Sequence, residues 1–324
     1  MVKLKKNGRI TSSALFSAAP ILGLILLAAV FLLIAQIKDV NISYSLKNIL
    51  NQSIITMVVA TGAIYIYTLG AFDISLGASM CVSVLVGAMA YNRTGSLIVM
   101  LAVCVGCAVC ISLISSVLAS VFNLPVFVTT IAMLSLLNAL VLVLIKVNGT
   151  GDVIQVPADA VRDINTPWFK LLVLILFTAL CVLTFNYMKL GRQEKFLGGN
   201  PLCAELTGLS AKKLSIIGFA MAGLGVGLGA FLTITYAPTL SRNTAASVGM
   251  DVIIAIVFGG MPISGGARSK IWSAIIGSLS MTLLSQIMLM LNMNSGVSQM
   301  VKAVIFIAVV YVSMLSSKKN ILPR

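Results

Sequence analysis

The sequence predicts an all-α polytopic membrane protein, and three observations support this fold class. Hydrophobic residues make up 59% of the chain, charged residues only 9%, and the mean hydropathy is +1.09, far outside the balance of a soluble domain. Apolar runs of about 20 residues, enough to cross a hydrocarbon core about 30 Å thick, recur along the whole chain. The formal charge of +14 lies between those runs, so membrane topology explains it better than a nucleic-acid partner.

Ten predicted spans form one transmembrane domain over residues 1–324. The first span follows four basic residues and is long, with no small-residue cleavage site after it, so we interpret it as an uncleaved helix rather than a signal peptide. The eighth span is short, which is typical of a broken or partly re-entrant helix. The predicted spans are 16–36, 52–69, 75–91, 97–120, 126–146, 168–188, 214–236, 250–262, 271–291 and 298–316.

Basic residues divide unequally between the two faces of this arrangement. Fourteen Lys and Arg residues fall on the face that carries both termini and eight on the other. Because cytoplasmic loops are enriched in Lys and Arg, the count predicts cytoplasmic termini. The most charged loop, 189–213, is then cytoplasmic, and we expect it to lie in water.

A short helix is predicted inside this loop. Asn200 can accept hydrogen bonds from free backbone N–H groups, and Pro201 fits the first helical position because its missing donor had no partner there. Gly208 supplies the stop. Two turns of helix are marginal alone, so the helix needs something to pack against.

The predicted helix has an apolar stripe. Leu202 and Leu206 lie on one face, Leu209 continues it, and Glu205 points elsewhere. Such a stripe suits either a docked protein partner or the headgroup layer of membrane lipid. The residues alone favour the partner without excluding the lipid.

Four segments in order resemble the permease subunits of ribose-, xylose- and galactose-type ABC importers, a group that also includes branched-chain amino-acid permeases. The resemblance covers nearly the whole chain, and GGNP followed by ELTGLSAKK is closer to the sugar branch. The four segments are LGAFDISLGASM around Asp73, LPVFVTTIAMLSLLNAL from Leu124, GRQEKFLGGNPLCAELTGLSAKKL from Gly191, and GMDVIIAIVFGGMPISGGARSKIWSAIIGS from Gly249.

The resemblance implies a ten-helix permease of the bacterial inner membrane that forms a homodimer. It also implies three further partners or features: an ABC ATPase with tandem domains that carries ATP and Mg, an extracytoplasmic solute-binding protein, and a cytoplasmic coupling loop. The expected cargo is a ribose-like sugar or similar polyol, with a nucleoside, autoinducer-2, inositol or a branched-chain amino acid as alternatives. The residues expected to couple to the ATPase are Gly199, Asn200, Pro201, Leu202, Glu205, Leu206, Gly208 and Leu209.

Polar residues inside the spans are candidates for the translocation path, although interhelical hydrogen bonding explains them equally well. They are Thr129, Thr130, Ser135, Asn138 and Gln286. A second set belongs to the motifs that carry the resemblance: Asp73, Ser75, Asp251, Gly260, Gly265 and Gly266.

Charged residues near the span ends have structural explanations. Asp73 can cap a helix start, and Asp251 can meet the positive end of a helix dipole. We expect Lys302 to snorkel to the outer interface. Without a chain of buried acids, these residues do not favour the alternative of an ATP-independent secondary transporter.

Several motifs are excluded or explained by packing. The sequence has no histidine and no G-x-x-x-x-G-K-[ST] phosphate loop, so the chain cannot hydrolyse ATP alone and is not predicted to be an enzyme. Cys104, Cys107 and Cys110 lie within a predicted helix and are not expected to bind metal. Four glycines between Gly223 and Gly229 predict close helix packing. ISLGA at 74–78 and ISGGA at 263–267, both predicted at cytoplasmic turns, are similar, and either an internal repeat or chance in a chain rich in these residues explains the similarity.

Overall fold

The structure, a computed structural model, describes residues 12–149, 151–262 and 264–318. The basic residues before Ser12 and those after Lys318, which entered the orientation count, lie outside these ranges. Helices dominate, as predicted. They are α1 Ser12–Ile37, α2 Ile42–Thr68, α3 Leu76–Thr94, α4 Leu97–Val121, α5 Val126–Asn148, α6 Ala158–Arg162, α7 Pro167–Val182, α8 Lys189–Gly199, α9 Pro201–Leu206, α10 Ala211–Tyr236, α11 Val248–Phe258, α12 Ile271–Met290 and α13 Ser295–Lys318.

Each of the ten predicted spans overlaps one of these helices. The sixth corresponds to α7 together with a π-helical stretch, Leu183–Tyr187, that continues it. Seven helices in the described ranges are both long and apolar enough to cross a membrane: α1, α2, α4, α5, α7 with its π-helical end, α10 and α12. The polytopic class is confirmed, whereas the number of crossings and the cytoplasmic termini stay predictions.

Two short strands join loops that the sequence predicts on the outer face. Strand β1, Val153–Gln155, pairs antiparallel with β2, Thr239–Ser241, and places Ile154 opposite Leu240. The Asn92 side chain of α3 donates to the Gln155 carbonyl at 2.9 Å. The segments 151–157 and 237–247 are therefore joined to each other and to the end of α3.

Helix α10 packs at the centre of the bundle, and its glycines allow the close approach that the sequence predicts. A Cβ on Gly225 would lie 2.9 Å from the Val58 carbonyl oxygen of α2. On the other side, a Cβ on Gly227 would lie 2.5 Å from the Val105 Cα of α4. Side chains larger than hydrogen would force these backbones apart, so the glycines serve helix packing.

Helix α3 begins inside the bundle rather than at its surface. The Cys104 thiol of α4 lies 3.5 Å from the Ser83 carbonyl of α3, so these two residues lie at the same level of the bundle. Helix α3 starts only seven residues before Ser83, whereas α4 continues for seventeen residues past Cys104. The ten-residue difference corresponds to about 15 Å of helix. Segment 74–78, predicted at a cytoplasmic turn, therefore lies within the bundle and not level with the end of α4. Residue 263 of the similar segment 263–267 lies outside the described ranges.

Helix α11 meets the start of α3 at this depth. A Cβ on Gly77 would lie 2.9 Å from the Gly249 nitrogen. With 11 residues, α11 is about 16 Å long, roughly half of a bilayer core. The segment before it also enters the bundle, because the Cys81 thiol of α3 is 3.9 Å from the Ser241 and Arg242 carbonyls. The short eighth helix agrees with the prediction, although it ends at Phe258 instead of 262.

Candidate functional site

The loop 189–213 folds into two helices, whereas the sequence predicts one. Helix α8 spans Lys189–Gly199 and precedes the predicted α9. Its buried side includes Glu194 and Leu197, and the carboxylate interrupts the apolar spacing that would have indicated a helix. The expectation that the loop lies wholly in water is therefore wrong for this part.

Helix α9 has the predicted caps. The Asn200 side chain accepts from the Cys203 N–H at 3.1 Å, Pro201 occupies the first turn, and Gly208 follows the helix with φ +83°. The start signal and the stop signal both lie where the sequence places them. This short helix is therefore defined largely by local interactions.

Two leucines of α9 are strongly exposed. Leu202 is 69% exposed and Leu206 81%, and Glu205 between them is also exposed. Leu209, predicted to extend their stripe, is half-buried against a small cluster formed by Leu197, Ala204 and Leu214. The prediction for Leu209 is wrong because the chain turns at Gly208 and leads this leucine back onto the bundle.

Glycines fix α8 to the end of α2. A Cβ on Gly198 would lie 1.9 Å from the Thr68 carbonyl oxygen, and a Cβ on Gly265 would lie 2.5 Å from the same atom. The Gly266 N–H donates to this carbonyl at 2.8 Å. Both Gly265 and Gly266 have positive φ, which glycine adopts without a steric penalty. Helix α8, the end of α2 and the 264–267 turn thus form one packed unit.

Gly260, the remaining motif glycine, has a similar role elsewhere. It follows α11 with φ +86°, and a Cβ there would lie 2.7 Å from the Pro20 ring of α1. Its packing partner is a different helix, so Gly260 is not part of the α8 unit.

Glu194 is buried in this unit without a hydrogen-bond partner. Its side chain is 0% exposed, and neither carboxyl oxygen bonds to any described residue. Burial raises the pKa of this carboxyl to about 9, although the charge of Lys195 acts in the opposite direction. Glu194 is therefore protonated at neutral pH, which avoids the cost of a buried charge.

A basic groove lies beside α9. It is lined by Arg192, Lys195, Phe196, Gly199, Asn200 and Ala267. The Lys195 ammonium lies 4.1 Å from the centre of the Phe185 ring and donates to Asn186 at 3.3 Å. Burial lowers the pKa of Lys195, and the nearby Glu194 opposes that shift. The exposed leucines and this groove together present an apolar ridge next to positive charge.

The predicted path residues do not form one cluster. Thr129 and Thr130 are buried near the start of α5, where Thr130 donates to the Phe127 carbonyl at 3.1 Å. Ser135 and Asn138 lie on the exposed side of α5, near its middle. Gln286 is buried on α12, which is not among the main packing neighbours of α5.

Both motif acids are held by neighbouring side chains or backbone. Asp73 Oδ1 accepts from the Ser75 N–H at 2.8 Å and the Ser75 hydroxyl at 2.6 Å, which fixes the turn before α3. Asp251 pairs with Lys302 at 2.6 Å. The expectation that Lys302 snorkels is wrong, because a carboxylate on the adjacent helix is within reach.

The comparison with protein families decides the class of this chain. The model of the family described as "Branched-chain amino acid transport system / permease component" matches residues 45–310. The chain belongs to this family. No solved structure matches the chain.

Permeases of known transport systems are similar to this chain, two of them over most of its length and one over about half. The ribose import permease protein RbsC of Escherichia coli K12 is 24% identical over 88% of this chain and 92% of its own length. That of Bacillus subtilis is 24% identical over 93% and 92%. The xylose transport system permease protein XylH of Haemophilus influenzae is 28% identical over 47% of this chain and 40% of its own length.

Proposed function

We propose that this chain is the membrane-spanning subunit of an ABC importer that moves a monosaccharide or similar polyol into a bacterial cell across the inner membrane. The observation that carries the proposal is the pair of exposed leucines on the capped helix α9, in a chain whose family consists of transport permeases. The sugar class is supported by the ribose and xylose permeases to which the chain is similar.

Helix α9 is the proposed contact for a separate ATPase subunit, which would carry ATP and Mg. The chain itself has no phosphate loop. Leu202 and Leu206 would enter an apolar pocket of the partner, while the basic groove beside them suits an acidic rim. The ATPase must bind two states of the permease with different affinity, since equal affinity would shift nothing.

Movement of α9 would reach the membrane helices through the glycine contacts. The nearby 264–267 turn and α8 both pack on the Thr68 carbonyl at the end of α2. Helix α2 in turn packs along α10, α12 and α7. A shift of α8 would therefore displace the end of α2 as well. Movement of the loop 189–213 would in this way be transmitted to the membrane helices.

Exposed polar groups on α5 support a homodimer with the path along this helix. The Asn138 side chain makes no hydrogen bond to a described residue, and Ser135 bonds only to the Ile131 carbonyl of its own helix. An amide facing hydrocarbon at mid-membrane is costly. A second copy of the chain, with water and solute between the two α5 helices, would remove that cost.

A secondary transporter is less consistent with the structure. Such a protein needs ionisable groups that face a cavity and change partners. Here Asp251 already pairs with Lys302, and Asp73 is buried and bonded to Ser75. A nucleoside, autoinducer-2, inositol or a branched-chain amino acid is the alternative cargo within the same ATP-driven class.

Substitution of Leu206 tests the coupling. We expect Leu206→Asp to reduce solute-stimulated ATP hydrolysis at least tenfold in the reconstituted complex, because a carboxylate in an apolar contact costs more than 1.4 kcal/mol. The level of permease in the membrane should not change, because Leu206 is 81% exposed.

The matched control is Lys212→Asp, which adds the same carboxylate to an exposed position of the same loop outside the leucine pair. It should retain most of the stimulation. Equal stimulation in the wild type and Leu206→Asp would contradict the docking role of α9.

A further inference from the structure

A π-helical stretch, Leu183–Tyr187, joins the membrane helix α7 to the loop that contains α8 and α9. Turns of this kind are rare, are usually a single turn long and occur frequently at functional sites. Helix α8 lies directly against the stretch, because a Cβ on Gly191 would lie 2.0 Å from the Phe185 carbonyl oxygen. The Phe185 ring meets the Tyr65 ring of α2 edge-on, with 5.4 Å between the ring centroids. Helices α2, α7 and α8 therefore meet at this stretch.

The Tyr65 hydroxyl is bonded to the end of α7. It donates to the Cys181 carbonyl at 3.1 Å and contacts the Thr184 hydroxyl. The Tyr65 side chain is fully buried, so its hydroxyl needs partners within the protein. Because a hydroxyl carries one hydrogen, Tyr65 cannot donate to a second group while it donates to α7.

The Glu194 carboxyl lies close to Tyr65 and lacks a donor. A Cβ on Gly218 of α10 would lie 3.5 Å from Glu194 Oε1 and 3.6 Å from the Tyr65 carbonyl carbon, so these two residues are neighbours. Neither oxygen of the buried carboxyl bonds to any described residue. A buried polar group without a partner costs free energy. A conformation that brings a donor to Glu194 would recover this cost.

Tyr65 is the donor that faces Glu194 from another helix. The basic neighbours on α8 are directed elsewhere: Arg192 lines the basic groove, and the Lys195 ammonium lies over an aromatic ring and bonds to an amide. Side chains one or two positions apart on a helix do not face each other. Across from α8, Gly218 has no side-chain donor, whereas Tyr65 has a hydroxyl.

We propose that Tyr65 is a switch residue, whose hydroxyl moves its hydrogen bond from the end of α7 to the Glu194 carboxyl when α8 tilts about the π-helical stretch. The exchange leaves the Cys181 carbonyl with a donor, because the Thr184 hydroxyl lies 3.2 Å from it. The close packing of Gly198 on the end of α2 opposes the tilt. The gain at Glu194 and the loss at Gly198 thus act in opposite directions, as a two-state element requires.

The link between this switch and transport rests on the proposed function. Helix α9 follows α8 after a single residue, Asn200, so a tilt of α8 would carry the proposed ATPase contact with it. The hydrogen-bond exchange itself involves only this chain and is measurable on the permease alone.

Fluorine NMR can follow the exchange in the full chain in lipid nanodiscs, with meta-fluorotyrosine in place of Tyr65. The fluorine lies beside the hydroxyl and reports its acceptor, either as two signals or as the weighted position of one. We expect both forms in the wild type. Glu194→Leu should leave only the form bonded to α7, whereas Glu194→Gln should keep both forms, because its amide oxygen still accepts.

Gly198→Ala tests the opposite direction. Its Cβ would lie 1.9 Å from the Thr68 carbonyl oxygen, so it disfavours the packed position of α8. The ratio of the Glu194-bonded form to the α7-bonded form should rise at least about fivefold, as expected for overpacking. Gly199→Ala, whose Cβ meets nothing within 4 Å, is the matched control and should keep the wild-type ratio.

Either set of variants is sufficient to overturn the switch, so the test does not depend on the folding of one of them. Identical spectra for the wild type and Glu194→Leu would overturn it, as would an unchanged ratio in Gly198→Ala. ATP hydrolysis by the reconstituted complex tests the import role separately. Solute-stimulated hydrolysis with identical spectra would leave the importer and overturn the switch, whereas the expected spectra without stimulated hydrolysis would leave the switch and overturn the import role.

Discussion

Glu194 is a buried carboxyl in the unit formed by α8, the end of α2 and the 264–267 turn, and its raised pKa makes the stability of this unit depend on pH. Its sequence neighbours Arg192 and Lys195 are charged, so nothing in the sequence distinguishes it from a solvated residue. The structure buries it because α8 folds onto the ends of α2 and α10, next to Tyr65 and Gly218. Only this tertiary contact reveals that the carboxyl is neutral.

The sign of the pH effect follows from the raised pKa. The folded chain keeps a proton on Glu194 up to about pH 9, whereas the unfolded chain releases it near its ordinary pKa of 4.5. The folded state therefore binds more protons between these values, and its stability falls as pH rises through this window. The stabilisation that the protonated Glu194 side chain gives to the folded state is fully present only below the pKa of the unfolded chain, 4.5.

We predict that Glu194→Gln removes this loss. At pH 5 the thermal midpoint of the detergent-solubilised variant should be close to that of the wild type. At pH 8.5 the variant should be more stable, by on the order of 4 kcal/mol, because glutamine has no proton to lose over the three pH units or so that separate the two measurements. Differential scanning fluorimetry at the two pH values measures the difference.

The control for this experiment is Glu205→Gln, since Glu205 lies on the exposed surface of α9. Its midpoint should follow the wild type at both pH values. A Glu194→Gln variant with the same pH profile as the wild type would contradict the neutral buried carboxyl.

At the scale of elements, local signals predict α9 and fail for α8. Asn200, Pro201 and Gly208 determine the ends of α9 through hydrogen bonds and backbone conformation that depend on neighbours only three or four residues away. Helix α8 depends instead on its tertiary packing against the end of α2. The depth of α3 likewise comes from packing against α4 and α11, so a hydropathy window could not reveal it.

The packing of α8 against the end of α2 is testable by substitution of two adjacent glycines. A Cβ at Gly198 would lie 1.9 Å from the Thr68 carbonyl oxygen, whereas a Cβ at Gly199 meets nothing within 4 Å. We predict that Gly198→Ala lowers stability by about 2–3 kcal/mol, as expected for forced overpacking.

Gly199→Ala should have little effect on stability and is the matched control. Thermal midpoints and membrane levels of the two variants are compared side by side. Similar midpoints for both would show that α8 does not rest on α2 as described.

At the scale of the whole molecule, periodicity and charge predict the class but leave the arrangement open. Ten apolar runs identify ten helices, because span length is set by bilayer thickness. Which polar side chains meet depends on the three-dimensional packing: Ser135 and Asn138 share an exposed face, while Gln286 joins Asn48 and Tyr44 in a different groove. The pairing of Lys302 with Asp251 is likewise invisible in sequence.

Reporter fusions test the predicted orientation. A reporter after Leu209 should be active as a cytoplasmic fusion, because basic residues accumulate in its loop. A fusion after Gly95, in the turn between α3 and α4, should give the external signal. An external signal after Leu209 would reverse the proposed orientation of the chain in the membrane.

The deep starts of α3 and α11 have a consequence for how far a solute must travel through a closed barrier. Seven helices in the described ranges are long enough to cross a full bilayer, but α11 covers only about 16 Å, and the chain leading into it passes beside Cys81 of α3 inside the bundle. At this position the thickness of the helical barrier is therefore nearer to half of the bilayer thickness than to all of it.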